Sequence, residues 1–545
     1  MEFDDVVRRV GEFGRIQLRT TIFSGLVTMS TAMQMMVTVF MQQLPTYRCA
    51  IPDLANDTFG IQGTWHQHLI NQTIPVDENG EYEGCLWRSG NDSGNGSVLP
   101  CKDWVYDTSV FPRTFPTEFG LFCDSSLLIN MVNVVYLAGV AVGAIVGGLA
   151  ADYIGRKWVS FIACLIHGVG GLGAAFSPNY GAYVAFRFFV GSCHGILNNS
   201  VVVLSMEFVS PRRRLVSVCT LAMSWGIGMV LTTPVAYLIR DWKYLQLAVA
   251  LPPFLYLGFW WVIPESPRWL LSRGRYAEAE DIVKWAARVN KKAIPEVDQL
   301  FNEHSLQITP SLSPLKIFHA PRLMARTAVM IFGWITVAIS WYGLTLNQGS
   351  LDGDIFINAL VLSVIDLIAY ASMFIINKFG RRKTYCAGMM ISALSMLTTI
   401  PVHFFADRES PSTRTAFTAL YTIGKLGVSG NFSLLFMWNG EFYPTALRNF
   451  GLGLGCTFGR VAAIVSPVVM DLLGEHPVLG NTVPLILFGC MALFCALSGI
   501  YLPETAHKHL PETLEDAQNF GVKRRKSGIN QDSNENAPST FEMVS

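Results

Sequence analysis

Apolar residues in this chain neither alternate with polar ones, as along a half-buried strand, nor form one narrow stripe per helix. They come in long runs separated by short polar or charged breaks. Twelve runs lie near 20–41, 126–150, 157–176, 182–206, 215–238, 243–263, 325–346, 355–378, 383–404, 414–438, 450–470 and 483–502, about half of the chain. Each is close to or above the roughly 20 residues that a helix needs to cross a bilayer. In lipid the backbone must satisfy its own hydrogen bonds, so runs of this length read as helices. Pro234, Pro252, Pro253 and Pro467 fall inside runs and are expected to kink them. The pattern predicts an all-α membrane protein with twelve transmembrane helices.

Composition agrees with that reading. The chain is 51% hydrophobic and 15% charged, with a mean hydropathy of +0.36. Soluble domains are nearer 25% charged, so a large soluble enzyme is excluded. Lys plus Arg and Asp plus Glu number 40 each, and no net field points to nucleic acid. Residues 1–19 are polar and carry Arg8, Arg9, Arg15 and Arg19, so no cleavable leader is expected.

Dense positive charge sits in three loops, at Arg156-Lys157, at Arg212-Arg213-Arg214 and at Lys378 with Arg381-Arg382-Lys383. They alternate with acidic, mixed or uncharged loops, so the basic set is expected in the cytoplasm with both termini and the 264–324 segment. The 42–125 segment points the same way. It holds glycosylation sequons at Asn56, Asn71, Asn91 and Asn95, and four cysteines, Cys49, Cys85, Cys101 and Cys123. An extracellular loop with two disulfides is expected, and three pairings stay open. The other seven cysteines lie in apolar runs without metal-ligand spacing.

The two halves carry matching punctuation. Gly148-Leu149-Ala150-Ala151-Asp152-Tyr153-Ile154-Gly155-Arg156-Lys157 corresponds to Asn377-Lys378-Phe379-Gly380-Arg381-Arg382-Lys383, Glu207-Phe208 to Glu441-Phe442, and Pro264-Glu265-Ser266 to Pro503-Glu504-Thr505, at offsets of 225, 234 and 239 residues. Two six-helix halves around a central site are the arrangement of a secondary transporter. The Gly-x-x-x-Asp-x-x-Gly-Arg-Lys loop and its second copy resemble the signature of the major facilitator superfamily, as does Arg187-Phe188-Phe189-Val190-Gly191. More narrowly, the large Cys-bearing loop, Pro264-Glu265-Ser266-Pro267-Arg268-Trp269 and Glu441-Phe442-Tyr443-Pro444-Thr445-Ala446-Leu447-Arg448-Asn449 resemble the organic cation/anion/carnitine transporter family, from Phe3 to about Glu512. Tyr237-Leu238-Ile239-Arg240-Asp241-Trp242 is closest to its carnitine and zwitterion branch.

Charge at depth marks the candidate site, because an ionisable group inside a span is costly. Asp366, Lys425 and Arg460 fall centrally in the eighth, tenth and eleventh runs. One acid against two bases leaves a positive surplus that suits an anionic group on a substrate. Lys425, Ser429, Phe432 and Phe436 share a helical face, and Trp334, Trp341 and Tyr342 follow helical spacing in the seventh run, with Tyr370 one turn past Asp366. Aromatic faces hold ammonium groups by cation–π attraction. By resemblance, Trp341, Tyr342, Tyr370, Phe432, Phe436, Lys425 and Arg460 match substrate-contacting positions of the family. The combination of Arg460 with Tyr370 looks most like the carnitine/zwitterion branch, since the cation branch has an acid at the first position and the anion branch a lysine at the second. Met35, His194 and Asn199 are expected to face the same cavity.

At the cytoplasmic helix ends, Asp152, Arg156, Glu207, Arg381, Arg382, Glu441 and Arg448 are expected to form interhelical ion pairs that hold that side shut in one state. Residues 265–325 are expected to form short helices bridging the halves, and the polar tail from about 513, with Lys523-Arg524-Arg525-Lys526, to be disordered. The reading is a plasma-membrane secondary transporter of small organic cations, zwitterions or anions, carnitine-like zwitterions foremost, in contact with membrane lipid. No enzyme motif, nucleic-acid partner or ATP loop is expected, and no cofactor beyond an unidentified coupling ion (Na⁺ or H⁺). A solute sensor with the same fold is the alternative from another class.

Overall fold

The structure is a computed structural model. It describes residues 3–520 apart from 53, 77–81, 90–96, 211–212, 293–300, 302–316, 318–319, 373–378, 408–409, 445–446, 475, 477–478, 481, 507, 509–510 and 512–513. Asn91, Asn95, Arg212, Lys378 and the basic tail run therefore lie outside the described residues.

Helices occupy all twelve apolar runs. The spans are, in order, Arg15–Met36 with a further turn Thr38–Met41, Leu127–Ile154, Arg156–Ala175, Tyr180–Glu207, Arg214–Leu238, Trp242–Ala250 continued by Pro252–Tyr256 and Leu257–Trp261, Pro321–Leu346, Ile355–Ala371, Arg381–Phe405, Pro411–Glu441, Arg448–Gly474 and Thr482–Ser498. Among the described residues, nine helices are both long and apolar enough to cross a membrane unaided. The other three depart for local reasons. Pro252 and Pro253 split the sixth span into pieces, the eighth, Ile355–Ala371, is a helix of 17 residues, and the tenth carries Lys425 with several serines and asparagines.

Packing repeats with an offset of six spans. The first span packs on the fifth and the seventh on the eleventh. The second packs on the fourth and the eighth on the tenth, and the third meets the fourth and sixth as the ninth meets the tenth and twelfth. Lipid offers no hydrophobic drive between helices, so close approach has to come from small residues. The second and fourth spans show how: Gly139, Gly143 and Gly147 lie against the Phe188–Ile196 stretch, and Gly191 and Gly195 against Tyr136 and Val140. A Cβ on Gly143 would fall on the Ser192 carbonyl.

The halves meet along the second span against the eleventh and the fifth against the eighth. On the side that carries the 42–126 segment, Asn130 donates to Asp471 at 2.7 Å, Gln348 reaches the Met36 sulfur at 3.2 Å, and Phe356 takes the rings of Phe40, Phe111 and Tyr237 at 5.3–5.6 Å. The opposite side carries the linker and the tail. There the helices Pro267–Ser272 and Tyr276–Asn290 form as expected, but they pack on the helix Phe3–Val10 and the first span rather than across the halves. Asn290 ties this cluster together by bonding Val10, Ile16 and Gln17. The tail also differs from expectation: Leu514–Asn519 is a helix, and the buried Arg326 guanidinium caps it by donating to the Ala517 and Phe520 carbonyls at 2.8 Å each.

The 42–126 segment folds as a small domain. Strand β1 (Tyr47–Cys49) pairs with β4 (Trp104–Tyr106), and β2 (Leu86–Ser89) with β3 (Ser97–Pro100), all antiparallel. Disulfides join Cys49 to Cys101 and Cys85 to Cys123, which selects one of the three open pairings. Asn56 and Asn71 are exposed. The centre is ionic. Arg48 grips Asp57 with both terminal nitrogens, at 2.9 and 2.6 Å, and His66 Nε2 lies 3.0 Å from the same carboxylate. The Gln62 backbone N–H donates to His66 Nδ1 at 3.0 Å, so Nε2 carries the proton that Asp57 accepts. Burial alone would raise the Asp57 carboxyl, but hydrogen bonds from Arg48, Ile51 and His66 hold it below its ordinary 3.8.

A depressed carboxyl stabilises the fold above its unfolded value and loses that contribution as pH falls through the folded one. The domain is therefore expected to resist proteolysis in the intact protein at pH 5 and above, and to lose that resistance progressively as pH falls below 3.8. Asp57→Asn should remove that acid transition. It should also leave the domain cleavable at every pH, since breaking one partner of a buried pair costs about 3–5 kcal/mol.

Candidate functional site

The eighth and tenth spans bring their charges together. Lys425 Nζ lies 3.1 Å from Asp366 Oδ2, and both side chains are wholly buried. Ser429, one turn past Lys425, donates to Asp366 Oδ1 at 2.5 Å. The Lys425 contact is a close approach of charges: the ammonium finds no acceptor along its hydrogen-bonding directions. In a low dielectric the Coulomb attraction alone holds such a pair, and the ammonium keeps unspent donors.

Arg460 stands apart from this pair. It is partly exposed, and among the described residues it makes no ion pair and no hydrogen bond. Its charge acts across the halves on His194 of the fourth span, and within its own half on Tyr342 of the seventh. The positive surplus expected from one acid and two bases thus falls on Arg460.

Aromatic rings line the space between the halves. Trp341 contacts Tyr342 at 4.9 Å, Phe432 at 5.6 Å and Trp225 of the fifth span at 6.5 Å. From Trp225 the series continues to His194 at 5.4 Å, whose Nδ1 is 2.7 Å from the Tyr136 hydroxyl. Trp334 closes the other flank, edge-on to Phe432 and Phe436 at 6.0 and 4.6 Å. Trp341, Trp334, His194 and Met35 are buried, whereas Trp225, Tyr342, Phe432 and Arg460 are partly open. Tyr370 is buried at the contact of the fifth and eighth spans, where a Cβ on Gly226 would meet it at 3.2 Å. Phe436 is 41% exposed, beyond Trp334.

Two sequence expectations change. Asn199 turns to the second span, donating to the Ala144 carbonyl at 3.0 Å, so its amide ties two helices of one half. Trp225, absent from the expected set, is the first half's ring facing Trp341. A lone tryptophan in an apolar run carries no local signal, and only the packing of the fifth span on the eighth reveals it.

The linker-side helix ends form two equivalent corners. In the first half, Arg156 meets Asp152 at 2.9 Å and Glu207 at 3.4 Å, while Glu265 accepts the backbone N–H groups of Arg156 and Lys157 at 3.0 Å. In the second, Arg381 meets Glu441 at 3.1 Å, and Glu504 accepts the N–H groups of Arg381 and Arg382 at 2.8 and 3.1 Å. Thr505 also bonds Glu441. A carboxylate at a helix N-terminus satisfies free donors and the helix dipole together. Gly155 (φ +114°) and Gly380 (φ +91°) have the positive φ that this tight entry needs, and a Cβ on either would collide with its glutamate. Arg448 opens the eleventh span beside Gly440. Arg156 and Arg381 therefore form the expected ion pairs, each inside one half instead of bridging the two, whereas among the described residues the Arg382 and Arg448 side chains form none. Glu265 and Glu504 were visible as a repeated motif, while their capping role needed the fold.

Comparison with known proteins adds the family context. Residues 58–516 match the family model "Sugar (and other) transporter". The chain is 32% identical to "Organic cation transporter protein" of Drosophila melanogaster, covering 96% of each chain. It is 32% identical to "Solute carrier family 22 member 12" of Rattus norvegicus, over 96% of this chain and 97% of that one. Against "Organic anion transporter 3" of Oryctolagus cuniculus it is 30% identical, over 96% and 95%. In fold it is similar to the xylose transporter XylE from E. coli in a partially occluded inward open conformation, with a TM-score of 0.60, 15% identity and coverage of 91% and 100%.

The corners generate a test. Glu207→Gln and Glu441→Gln each keep shape but remove the charge that anchors an arginine. Each variant should reach the membrane folded and move solute roughly tenfold more slowly, the equivalent of about 1.4 kcal/mol in the barrier. Initial rates normalised to membrane-resident protein measure this, and undiminished rates in both variants would remove the gating role.

Proposed function

The chain belongs to the sugar (and other) transporter family of the major facilitator superfamily, among the organic-ion transporters of solute carrier family 22, and from this premise we propose that it moves carboxylate-bearing organic zwitterions. It is a multi-pass membrane protein and a secondary transporter, not an enzyme. The substrate class rests on one observation: among the described residues Arg460 of the eleventh span is an unpaired guanidinium, while the acid Asp366 is already matched by Lys425. A guanidinium grips a carboxylate through two parallel hydrogen bonds. The partly open faces of Trp225, Tyr342 and Phe432 offer cation–π partners for an ammonium at the other end of the same solute. A carnitine-like zwitterion carries both groups.

The exposed sequons and the two disulfides support placing the 42–126 domain outside the cell and both termini inside, at the plasma membrane. Contacts across the halves at Asn130, Gln348 and Phe356 then close the outer side, so this conformation faces inward. Release and rebinding follow as the halves rock, each kept rigid by its own corner, with the rings of Trp225 and Trp341 parting between them.

Arg460→Ala should nearly abolish transport of carboxylate-bearing substrates, since truncating one partner of a desolvated pair costs on the order of 2–5 kcal/mol. Arg460→Lys keeps the charge without the fork and should retain a fraction. Arg460→Asp should shift selectivity toward simple cations. Uptake of a panel of cations, anions and zwitterions reads all three. If Arg460 served only to neutralise Asp366, combining Arg460→Ala with Asp366→Ala would restore carboxylate uptake; no recovery is expected.

Transport itself has a separate check. Proteoliposomes loaded with unlabelled zwitterion should accumulate the labelled compound by counterflow. Saturable binding with no counterflow would make the chain a sensor.

A further inference from the structure

Another buried positive charge lies outside the site described above. Arg187, near the domain-side end of the fourth span, has 0% exposure, and no carboxylate pairs with it among the described residues. One terminal nitrogen donates to the Gln34 carbonyl at 3.3 Å, and the guanidinium lies 4.5 Å over the Tyr136 ring. Its Nε and other terminal nitrogen have no acceptor.

Other buried donors around it are equally unspent: the Gln34 side-chain amide, the Tyr183 hydroxyl and the Trp242 indole N–H, with the His167 ring close by on the third span. They come from the first, fourth, sixth and third spans and lie together. Tyr183 precedes Arg187 by one turn, and its ring is 5.8 Å from Trp242. The amide nitrogens of Gln34 and Gln246 both border Gly171, one turn from His167. Arg187's charge acts on both His167 and Tyr183.

An unmatched guanidinium in this setting is strongly unfavourable, and so is each donor left without a partner. Water would satisfy the donors and leave the charge. A carboxylate solute would need an opening, but Arg187, Gln34, Tyr183 and His167 are all at most 1% exposed. We propose that the first half holds a small inorganic anion of halide size between the first, third, fourth and sixth spans, with Arg187 as its counter-charge and Gln34 and Tyr183 as flanking donors. The anion neutralises a half whose membrane spans, among the described residues, bury no acid of their own, and it is separate from the solute site at Arg460.

The full-length protein, purified in gluconate, is titrated with chloride at constant ionic strength while its unfolding midpoint is followed. A saturable rise is expected, because a ligand held only by the native state stabilises it. Gln34→Leu and Tyr183→Phe should each raise the half-saturating concentration roughly tenfold, the effect of one lost charge-assisted hydrogen bond. The chloride response should persist in Arg460→Ala. Bromide in place of chloride should give an anomalous scattering peak beside Arg187 in the unmutated protein, which does not depend on any variant folding. A midpoint indifferent to chloride, a response that disappears with Arg460→Ala but survives both first-half variants, or bromide absent from Arg187 would each overturn the proposal and leave water in its place.

Discussion

A charge inside the hydrocarbon layer has to be matched by an opposite charge, by water or by a ligand, and this requirement orders the whole molecule. Asp366 and Lys425 meet it by pairing, in complete burial. Arg156 and Arg381 meet it at helix ends, where glutamates of neighbouring spans wait. Among the described residues, what remains is two arginines at depth without a carboxylate, Arg460 in the second half and Arg187 in the first. The partly open one is where a solute can supply the missing charge. The enclosed one is shut off from any organic solute.

Repetition and asymmetry divide the labour between the halves. The linker-side corner is built twice from the same parts, a glycine at positive φ, a capping glutamate and an arginine–glutamate pair. Two equally rigid corners let each half move as a body. The centre is not repeated. Asp366, Lys425 and Arg460 all belong to the second half, and the first half presents Trp225 and His194 to them. Rings suit that interface, because an aromatic contact can part and re-form without leaving a charge stranded.

Much of this was legible along the chain, where the signal is local. Twelve apolar runs became helices because length and hydropathy belong to consecutive residues, and lipid leaves the backbone no alternative. The repeated loops marked both corners for the same reason. Local signal also misled at the tail, where a polar stretch past residue 513 folds into a helix once Arg326 caps it. It could not foresee the piecewise sixth span beyond the presence of Pro252 and Pro253.

Sequence by itself determined the spans, their pseudo-symmetry, the presence of one acid and two bases at mid-depth, and the four cysteines of the 42–126 domain. Tertiary structure alone decided which cation meets Asp366, which cysteines join, that Asn199 serves a helix contact and that Trp225 faces Trp341. The physical reason is distance along the chain. A run of apolar residues carries its own consequence, whereas a pair 59 residues apart such as Asp366 and Lys425 exists only after the intervening span has packed. Arg460 could be read as a charge, but only the packed fold leaves it unmatched.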